Sequence, residues 1–169
     1  MARNLKKYWR LIAAVLLLAA VIAVALLAYE PAAPKQADTP KQPESACGTY
    51  RNDKTVTING SAFKSEVAKT DAERHQGLSG RPCIEPNRAM LFAFDHPGQY
   101  AIWMKDMRFP IDILWINSDH KVVGQEVDVS PSTYPDRFVN KDKPALYVLE
   151  LKANRTKELN VGLGTAVSF

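Results

Sequence analysis

The segment Ile102–Ile116, with the sequence IWMKDMRFPIDILWI, embeds charged side chains in a run of aromatic and branched apolar residues. Its apolar parts predict two consecutive strands, Tyr100–Met104 and Ile111–Ile116. A strand that only packs in a core does not need four charges placed between two tryptophans. Charges beside apolar walls belong either to structural ion pairs or to the lining of a site. The segment therefore predicts part of the core and the position of a candidate site.

Alternating apolar and polar residues predict further short strands on both sides of this segment. These strands are Thr55–Ile58, Phe63–Ala68, Met90–Phe94, Val122–Val129, Leu146–Leu151 and Ala166–Phe169. The dipeptide Asn59-Gly60 between the first two is a strong hairpin signal. Many short strands and few helices favour a mostly β fold, either a compact β-sandwich or a small closed barrel.

One or two short helices complete the predicted domain. The sequence TDAE that begins at Thr70 is a capping box, in which Thr70 caps a helix and Glu73 reaches back to it. Gly77 lies where this helix is expected to end, and Thr156–Asn160 fits one further turn. The polar stretch Ser130–Pro144 is a long loop of the kind that often carries function.

The N-terminal part of the chain predicts a membrane anchor. Residues 1–10 form a basic tail, residues 11–29 contain no charged side chain, and residues 30–46 form a Pro-rich linker before the domain at 47–169. As a helix, residues 11–29 measure about 28 Å, close to the hydrocarbon thickness of a bilayer. A cleaved signal peptide is the alternative, although this run is longer than the usual signal core and Leu26-Leu27-Ala28 is a poor cleavage site.

The distribution of charge orients this anchor and argues against nucleic acid as a partner. Four of the 22 Lys and Arg residues precede position 30, and all 18 Asp and Glu follow from that position, which leaves the remainder neutral by count. The basic tail holds the N-terminus in the cytoplasm, so the domain is expected outside it, in the periplasm or at the cell surface. A neutral domain without a basic stripe predicts no nucleic-acid binding.

The two cysteines, Cys47 and Cys83, both follow the predicted anchor. In an oxidising compartment a single pair of cysteines is most simply a disulfide, which here would join the start of the domain to its interior. Two free thiols are the competing interpretation.

Six charged residues and two tryptophans border the apolar segments and are the candidate ligand-binding residues. They are Arg74, Arg81, Trp103, Lys105, Asp106, Asp112, Trp115 and Glu150. As a site, the basic members would hold an anionic group while Asp112 or Glu150 serves as a base or hydrogen-bond acceptor. As structure, the charges would neutralise one another at strand ends.

Several short motifs occur in an order that resembles one family. They are Glu73-Arg74, Gly77-Leu78, Arg81, Met90-Leu91-Phe92, Trp103-Met104-Lys105, Pro110-Ile111-Asp112-Ile113 and Tyr147-Val148-Leu149-Glu150. Together they resemble the domain-of-unknown-function family 192 over about Thr55–Phe169. The resemblance implies a compact, mostly β, exported prokaryotic protein and implies no reaction. Two positions depart from the usual pattern of the family. This chain has Asp106 where the family usually has Asn, and it has Ser79 where the family usually has Met after Gly-Leu.

Two hypotheses about function follow. The first is a membrane-tethered binding domain whose pocket, between Trp103, Trp115 and the long loop, takes a small ligand or an envelope polymer. The second is an exported hydrolase or transferase that uses Lys105, Asp112 and Glu150. No nucleophile motif is present, which favours binding. Without a His-x-His, Cys-x-x-Cys or carboxylate-cluster pattern, neither a metal nor a cofactor is predicted.

The anchor gives the first testable prediction. We expect the full-length chain to sediment with membranes, to resist extraction by high salt and carbonate, and to expose residues 47–169 to protease added from outside, because the uncharged run is long enough to span. Immunoblotting of the fractions measures this. Recovery of a soluble protein that begins near residue 30 would instead establish a cleaved signal peptide.

Overall fold

Seven strands and two short helices make up residues 46–169, the part of the chain that the computed structural model describes. The strands are β1 Lys54–Ile58, β2 Ser61–Ala68, β3 Arg88–Gly98, β4 Ile111–Ile116, β5 Val122–Val129, β6 Ala145–Lys152 and β7 Val167–Ser168. The helices are α1 Asp71–Gln76 and α2 Arg155–Glu158, and Pro131–Thr133 forms a single 3-10 turn. The predicted tail, anchor and almost all of the linker lie outside the described residues. No helix within 46–169 is long and apolar enough to cross a membrane.

One sheet contains all seven strands, in the order β5-β4-β6-β3-β2-β1-β7. Its neighbours are antiparallel except β2 and β3, which are parallel. The outer strands β5 and β7 approach each other at a bridge between Lys121 and Ala166. The sheet is therefore a half-barrel. This confirms a mostly β fold with two short helices and corrects the sandwich prediction, because a sandwich needs two separate sheets.

The central strands are buried on both faces of the sheet. All six residues of β4 are buried, and their side chains alternate between two hydrophobic cores. The first core includes Leu91, Leu114 and Leu149 from β3, β4 and β6. The second core lies on the opposite face and is covered by Leu78, Ile84, Ile102 and Met104 from outside the sheet. The central strands thus have no solvated face.

The predicted strand Tyr100–Met104 is an irregular segment instead. Its side chains still enter the second core, but its backbone pairs only through a bridge from Ile102 to Phe138 of the long loop. Both edges of β3 and of β4 are occupied by other strands of the sheet. The strand prediction for Tyr100–Met104 was wrong because this segment is buried like a strand but has no free strand edge to pair with.

The local turn and capping signals are confirmed. The hairpin between β1 and β2 turns at Asn59 and Gly60, both with positive φ, as a two-residue hairpin loop requires. Thr70 and Glu73 form the capping box of α1. The backbone N–H groups of Thr70 and Lys69 donate to the Glu73 carboxylate and lower its pKa to about 2. This anchors the start of the helix that borders the candidate site.

The predicted disulfide between Cys47 and Cys83 is confirmed, with a sequence separation of 36 and a Cα separation of 4.8 Å. A loop of this length restricts the unfolded chain by about 4 kcal/mol in the chain-entropy account. Next to the bridge, the hydroxyl of Tyr50 donates to the carbonyl of Cys83 at 3.1 Å. The bridge ties the first described residues to the segment that follows α1.

Asp112 is fully buried on the face of β4 that points into the first core. Its Oδ1 accepts the backbone N–H groups of Asp128 at 2.8 Å and Asn154 at 2.9 Å. Its Oδ2 accepts the N–H of Thr156 at 2.8 Å and the Thr156 hydroxyl at 2.7 Å. Four donors satisfy a buried carboxylate. Asp112 therefore joins β4 to the end of β5 and to the start of α2.

We expect Asp112→Asn to lower the free energy of unfolding by about 2 to 4 kcal/mol. In the variant the NH₂ of the asparagine side chain would face hydrogen-bond donors that bind a carboxylate oxygen in the wild type. Urea unfolding followed by circular dichroism measures the loss. The control is Asp128→Asn, which removes an exposed carboxylate at a positive φ that asparagine also tolerates. An Asp112→Asn protein as stable as this control would contradict the role assigned to the carboxylate.

Candidate functional site

A cavity of about 280 Å³ lies on the side of the sheet that carries the second core. Helix α1 and the residues after it form one wall, the irregular segment before β4 forms another, and β3 and β6 form the floor. We call it the aromatic cavity and define it by Arg74, Phe94, Tyr100, Trp103 and Glu150. Its mixture of aromatic walls and a few polar groups is typical of small-molecule sites.

Glu150 lies at the floor of this cavity. In the sheet it is flanked by Met90 on β3 and Ile113 on β4, and only 4% of the residue is exposed. Its Oε2 has no hydrogen-bond partner within residues 46–169. Burial raises the pKa of this carboxyl to about 8. At pH 7 Glu150 is therefore mainly protonated, and a protonated carboxyl has one hydroxyl donor and one carbonyl acceptor.

The aromatic walls are fixed by stacking and by one hydrogen bond. Phe94 and Tyr100 stack with ring centroids 3.4 Å apart. The indole N–H of Trp115 donates to the carbonyl of Tyr100 at 2.8 Å, so Trp115 supports the wall from within the core. Gly77, the C-cap of α1, has a positive φ, and a Cβ there would lie 3.2 Å from the Phe92 ring. Glycine at this position therefore permits the close approach of the Phe92 ring, and both residues line the cavity.

Arg74 of α1 lies across the wall with its charge already paired. Its guanidinium lies 5.1 Å above the centre of the Phe94 ring. It donates to the carbonyl of Ala93 at 2.9 Å and to that of Lys69, and it pairs with Asp71 at 2.6 Å. These bonds leave Arg74 as a positioned wall residue rather than an uncompensated cation.

Trp103 forms the outer edge of the cavity and attracts two cations. The guanidinium of Arg137 lies 4.6 Å from the ring centre and the ammonium of Lys105 lies 5.7 Å from it. Arg137 belongs to the long loop. Backbone bonds of 2.8 Å in both directions between Ile102 and Phe138 fasten that loop beside Trp103. The long loop therefore contributes a basic side chain to the site, as its length suggested.

A second cavity, of about 330 Å³, adjoins the first. Lys105 and Asp106 line it, together with the first residues after α1. Trp103 and part of α1 line both cavities. We call this one the basic cavity, after Lys105.

The structure divides the sequence-predicted residues into three groups. Arg74, Trp103 and Glu150 line the aromatic cavity, and Lys105 and Asp106 line the basic cavity. The remaining three residues have structural contacts. Arg81 pairs with the buried Glu66 at 2.7 Å, Trp115 is in the core, and Asp112 points to the opposite face of the sheet from Glu150. The predicted set is thus partly site and partly structure.

Among the residues of the aromatic cavity that sequence reasoning missed are Phe94, Tyr100 and Arg137. The first two occur in apolar stretches that have the same pattern as core strands. The length of the loop that contains Arg137 indicated a functional segment, but it did not indicate which residue of the loop would line the cavity. His75 is exposed and also lies at the edge of Trp103, with ring centroids 6.3 Å apart.

No group of three or more His, Cys, Asp or Glu side chains within the described domain is arranged to hold a metal ion. The polar groups that line the two cavities are the carboxyl of Glu150, the carboxylates of Asp71 and Asp106, one imidazole, amides, hydroxyls and cations. Such groups bind organic ligands through hydrogen bonds and ion pairs.

Comparison with known proteins places the chain in a family. The model of the domain-of-unknown-function family 192 (DUF192), described as an uncharacterized ACR, matches residues 54–169. The chain belongs to DUF192. This confirms the family inferred from the ordered motifs. The match includes every residue that lines the two cavities.

Two solved structures resemble this DUF192 chain. One is a protein of unknown function from Novosphingobium aromaticivorans DSM 12444, 27% identical with a TM-score of 0.64, matched over 68% of this chain and 84% of that one. The other is a proposed transcription regulator from Sinorhizobium meliloti 1021, 30% identical with a TM-score of 0.61, matched over 68% of this chain and 88% of that one. No curated protein matches the chain significantly. The relatives thus share the fold and supply no established activity.

Burial of Glu150 predicts a pH dependence of stability. Between the ordinary pKa of 4.5 and about 8, the unfolded chain releases this proton while the folded protein retains it. Stability should therefore fall as the pH rises through this range, by up to about 1.4 kcal/mol per pH unit from this group. Glu150→Gln should lack this contribution and become more stable than the wild type toward pH 8.5.

The measurement is urea unfolding of both proteins from pH 4 to pH 9, because the difference between them cancels other titrating groups. Glu126→Gln, at an exposed position of β5, is the matched control and should follow the wild type. Parallel curves for wild type and Glu150→Gln across this range would contradict a buried neutral carboxyl.

Proposed function

We propose that this domain binds a small organic ligand in the aromatic cavity, with Glu150 as the hydrogen-bonding group at its floor. The observation that carries this proposal is that Glu150, whose Oε2 is buried without a hydrogen-bond partner within residues 46–169, lines a space of about 280 Å³. A buried polar atom without a partner costs folding free energy, so its presence calls for an explanation. A ligand that supplies the missing partner is such an explanation.

The lining specifies the chemistry of this ligand. A neutral carboxyl both donates and accepts, which suits a hydroxyl or amide group on the ligand. The stacked rings of Phe94 and Tyr100 and the indole of Trp103 suit an apolar ring face. The ligand we propose is therefore a small ring compound that carries hydroxyl or amide groups, such as a monosaccharide unit.

Binding is better supported than hydrolysis or group transfer. An enzyme built on Lys105, Asp112 and Glu150 needs these three groups in one space. Asp112 lies on the other face of the sheet with four hydrogen bonds of its own, and Lys105 lines the neighbouring cavity. Of these three residues Glu150 alone lines the aromatic cavity, where it can serve as a hydrogen-bond partner for a ligand.

We further propose that the chain is tethered to the membrane through residues 11–29 and presents the domain outside the cytoplasm. The support is the uncharged N-terminal run and its basic flank, together with the disulfide, which is typical of oxidising compartments. Ligands in this location include units of envelope polymers. The regulatory role proposed for the Sinorhizobium relative is not extended to this chain, because the charge from residue 30 onward is balanced.

The test is saturation-transfer NMR on the full-length chain in nanodiscs with four probes: methyl glucoside, methyl N-acetylglucosaminide, glucuronate and benzamide. We expect at least one probe to bind with its ring protons saturated, and Glu150→Leu to weaken that binding about 10-fold or more, because it removes the polar floor. Glu150→Gln keeps a donor and an acceptor and should bind like the wild type.

Glu126→Leu is the control, since it makes the same replacement at an exposed position outside the cavity. Thermal melts of all variants exclude misfolding as the cause of a loss. If none of the four probes binds the wild type, or if Glu150→Leu and Glu126→Leu bind equally well, the proposed function is wrong.

A further inference from the structure

The basic cavity and the aromatic cavity share a wall. Trp103, His75, Gln76 and Ser79 line both of them. Two spaces of about 280 and 330 Å³ therefore lie on either side of a single layer of side chains. A ligand longer than one ring that starts in the first space has the second space directly beside it.

The basic cavity is built from fixed backbone. The hydroxyl of Ser79 donates to the carbonyl of Lys105 at 2.8 Å, and the N–H of Gly80 donates to the carbonyl of Asp106 at 2.8 Å. The amide of Gln76 donates to the carbonyl of Ser79 at 2.9 Å. These bonds fasten the turn that carries Lys105 to the chain after α1, so the cavity is preformed.

Two cations contact the ring of Trp103, one for each cavity. Arg137 lines the aromatic cavity and Lys105 lines the basic cavity. Both side chains belong to exposed residues, and neither forms an ion pair with a carboxylate of residues 46–169. Each cavity therefore has a cation available for an anionic group of a ligand, with an aromatic face between the two.

Acceptors surround these cations. Asp71 lines the aromatic cavity, Asp106 lines the basic cavity, and the side-chain carbonyl of Gln76 belongs to both linings. Carboxylates and amide oxygens accept hydrogen bonds from hydroxyl groups. Carboxylates also repel a polymer that carries a negative charge on every short monomer, such as an acidic peptide. The lining suits a ligand that combines many hydroxyls with one carboxylate per ring.

We propose that the two cavities are adjacent subsites for an acidic oligosaccharide of uronate type, with one sugar ring in each and Trp103 as the shared stacking surface. The ring in the aromatic cavity directs a hydroxyl to Glu150 and its carboxylate to Arg137. The next ring directs its carboxylate to Lys105. This inference rests on the proposed function of the aromatic cavity and names the ligand class and the second subsite.

Asp106 weakens the second subsite in this particular chain. It places a negative charge beside Lys105 at a residue with a φ of 55°. Asparagine, the residue usual in relatives, adopts this backbone conformation readily and lacks the charge. Asp106→Asn is therefore a variant that changes the electrostatics of the subsite while preserving its backbone.

The test is isothermal titration calorimetry of the full-length chain in nanodiscs at pH 6.5 and 50 mM salt. The probes are galacturonate, trigalacturonate, neutral maltotriose and a hexaglutamate peptide. We expect trigalacturonate to bind at least 10-fold more tightly than galacturonate and than the other two probes, because it fills both subsites. Lys105→Gln should remove about 10-fold of this gain and leave galacturonate unchanged, whereas Asp106→Asn should tighten trigalacturonate several-fold.

Lys64→Gln removes an exposed positive charge on β2, outside both cavities, and should have no effect. If trigalacturonate binds no better than galacturonate, the second subsite is wrong. The proposed function is unaffected by that result, because a monosaccharide still binds in the aromatic cavity. Equal binding of hexaglutamate or maltotriose overturns the acidic-glycan assignment. A gain that survives Lys105→Gln overturns the role of the basic cavity, and failure of every probe, including those for the aromatic cavity, overturns both proposals.

Discussion

Burial of the central strands on both faces is the constraint on which the other features depend. Polar side chains at the buried positions of β4 and β6 lie in an apolar interior, where an isolated charge costs several kcal/mol. The two carboxyls in this position meet the constraint differently. Asp112 has four donors around it, whereas Glu150 has apolar neighbours and a pKa raised to about 8 by burial. The first carboxyl stabilises the fold, and the second retains an unpartnered oxygen at a residue that lines the aromatic cavity.

The same burial determines where a cavity can form. The first core receives side chains from every part of the sheet, so its space is filled by strands. The second core is covered by the residues that follow α1 and by other irregular segments, which pack with less regular spacing. Space remains where these segments meet, and the side chains around it come from separate parts of the chain. The fixed contacts of Trp115 with Tyr100 and of Ile102 with Phe138 then hold the walls in place.

The features that depend on neighbouring residues could be predicted from the sequence. The hairpin at Asn59-Gly60 and the capping box at Thr70 are local arrangements, and residue type specifies them directly. Strand pairing is not local, so Tyr100–Met104 has the apolar pattern of a strand without an edge to pair with. The roles of Asp112 and Glu150 were equally inaccessible, because a carboxyl in an apolar strand has the same sequence pattern whether or not donors from distant segments reach it.

The parallel pairing of β2 with β3 has a consequence for how the site assembles during folding. Parallel neighbours require a crossover, and here the crossover is the stretch that carries α1 and Cys83 across one face of the sheet. One wall of both cavities is therefore a topological connection rather than an added loop. The wall takes its place only when two strands distant in sequence meet, and such non-local pairing is slow. Completion of both cavities is thus a late event in folding, and local opening at β2 would remove this wall while β3, β6, β4 and β5 stay paired.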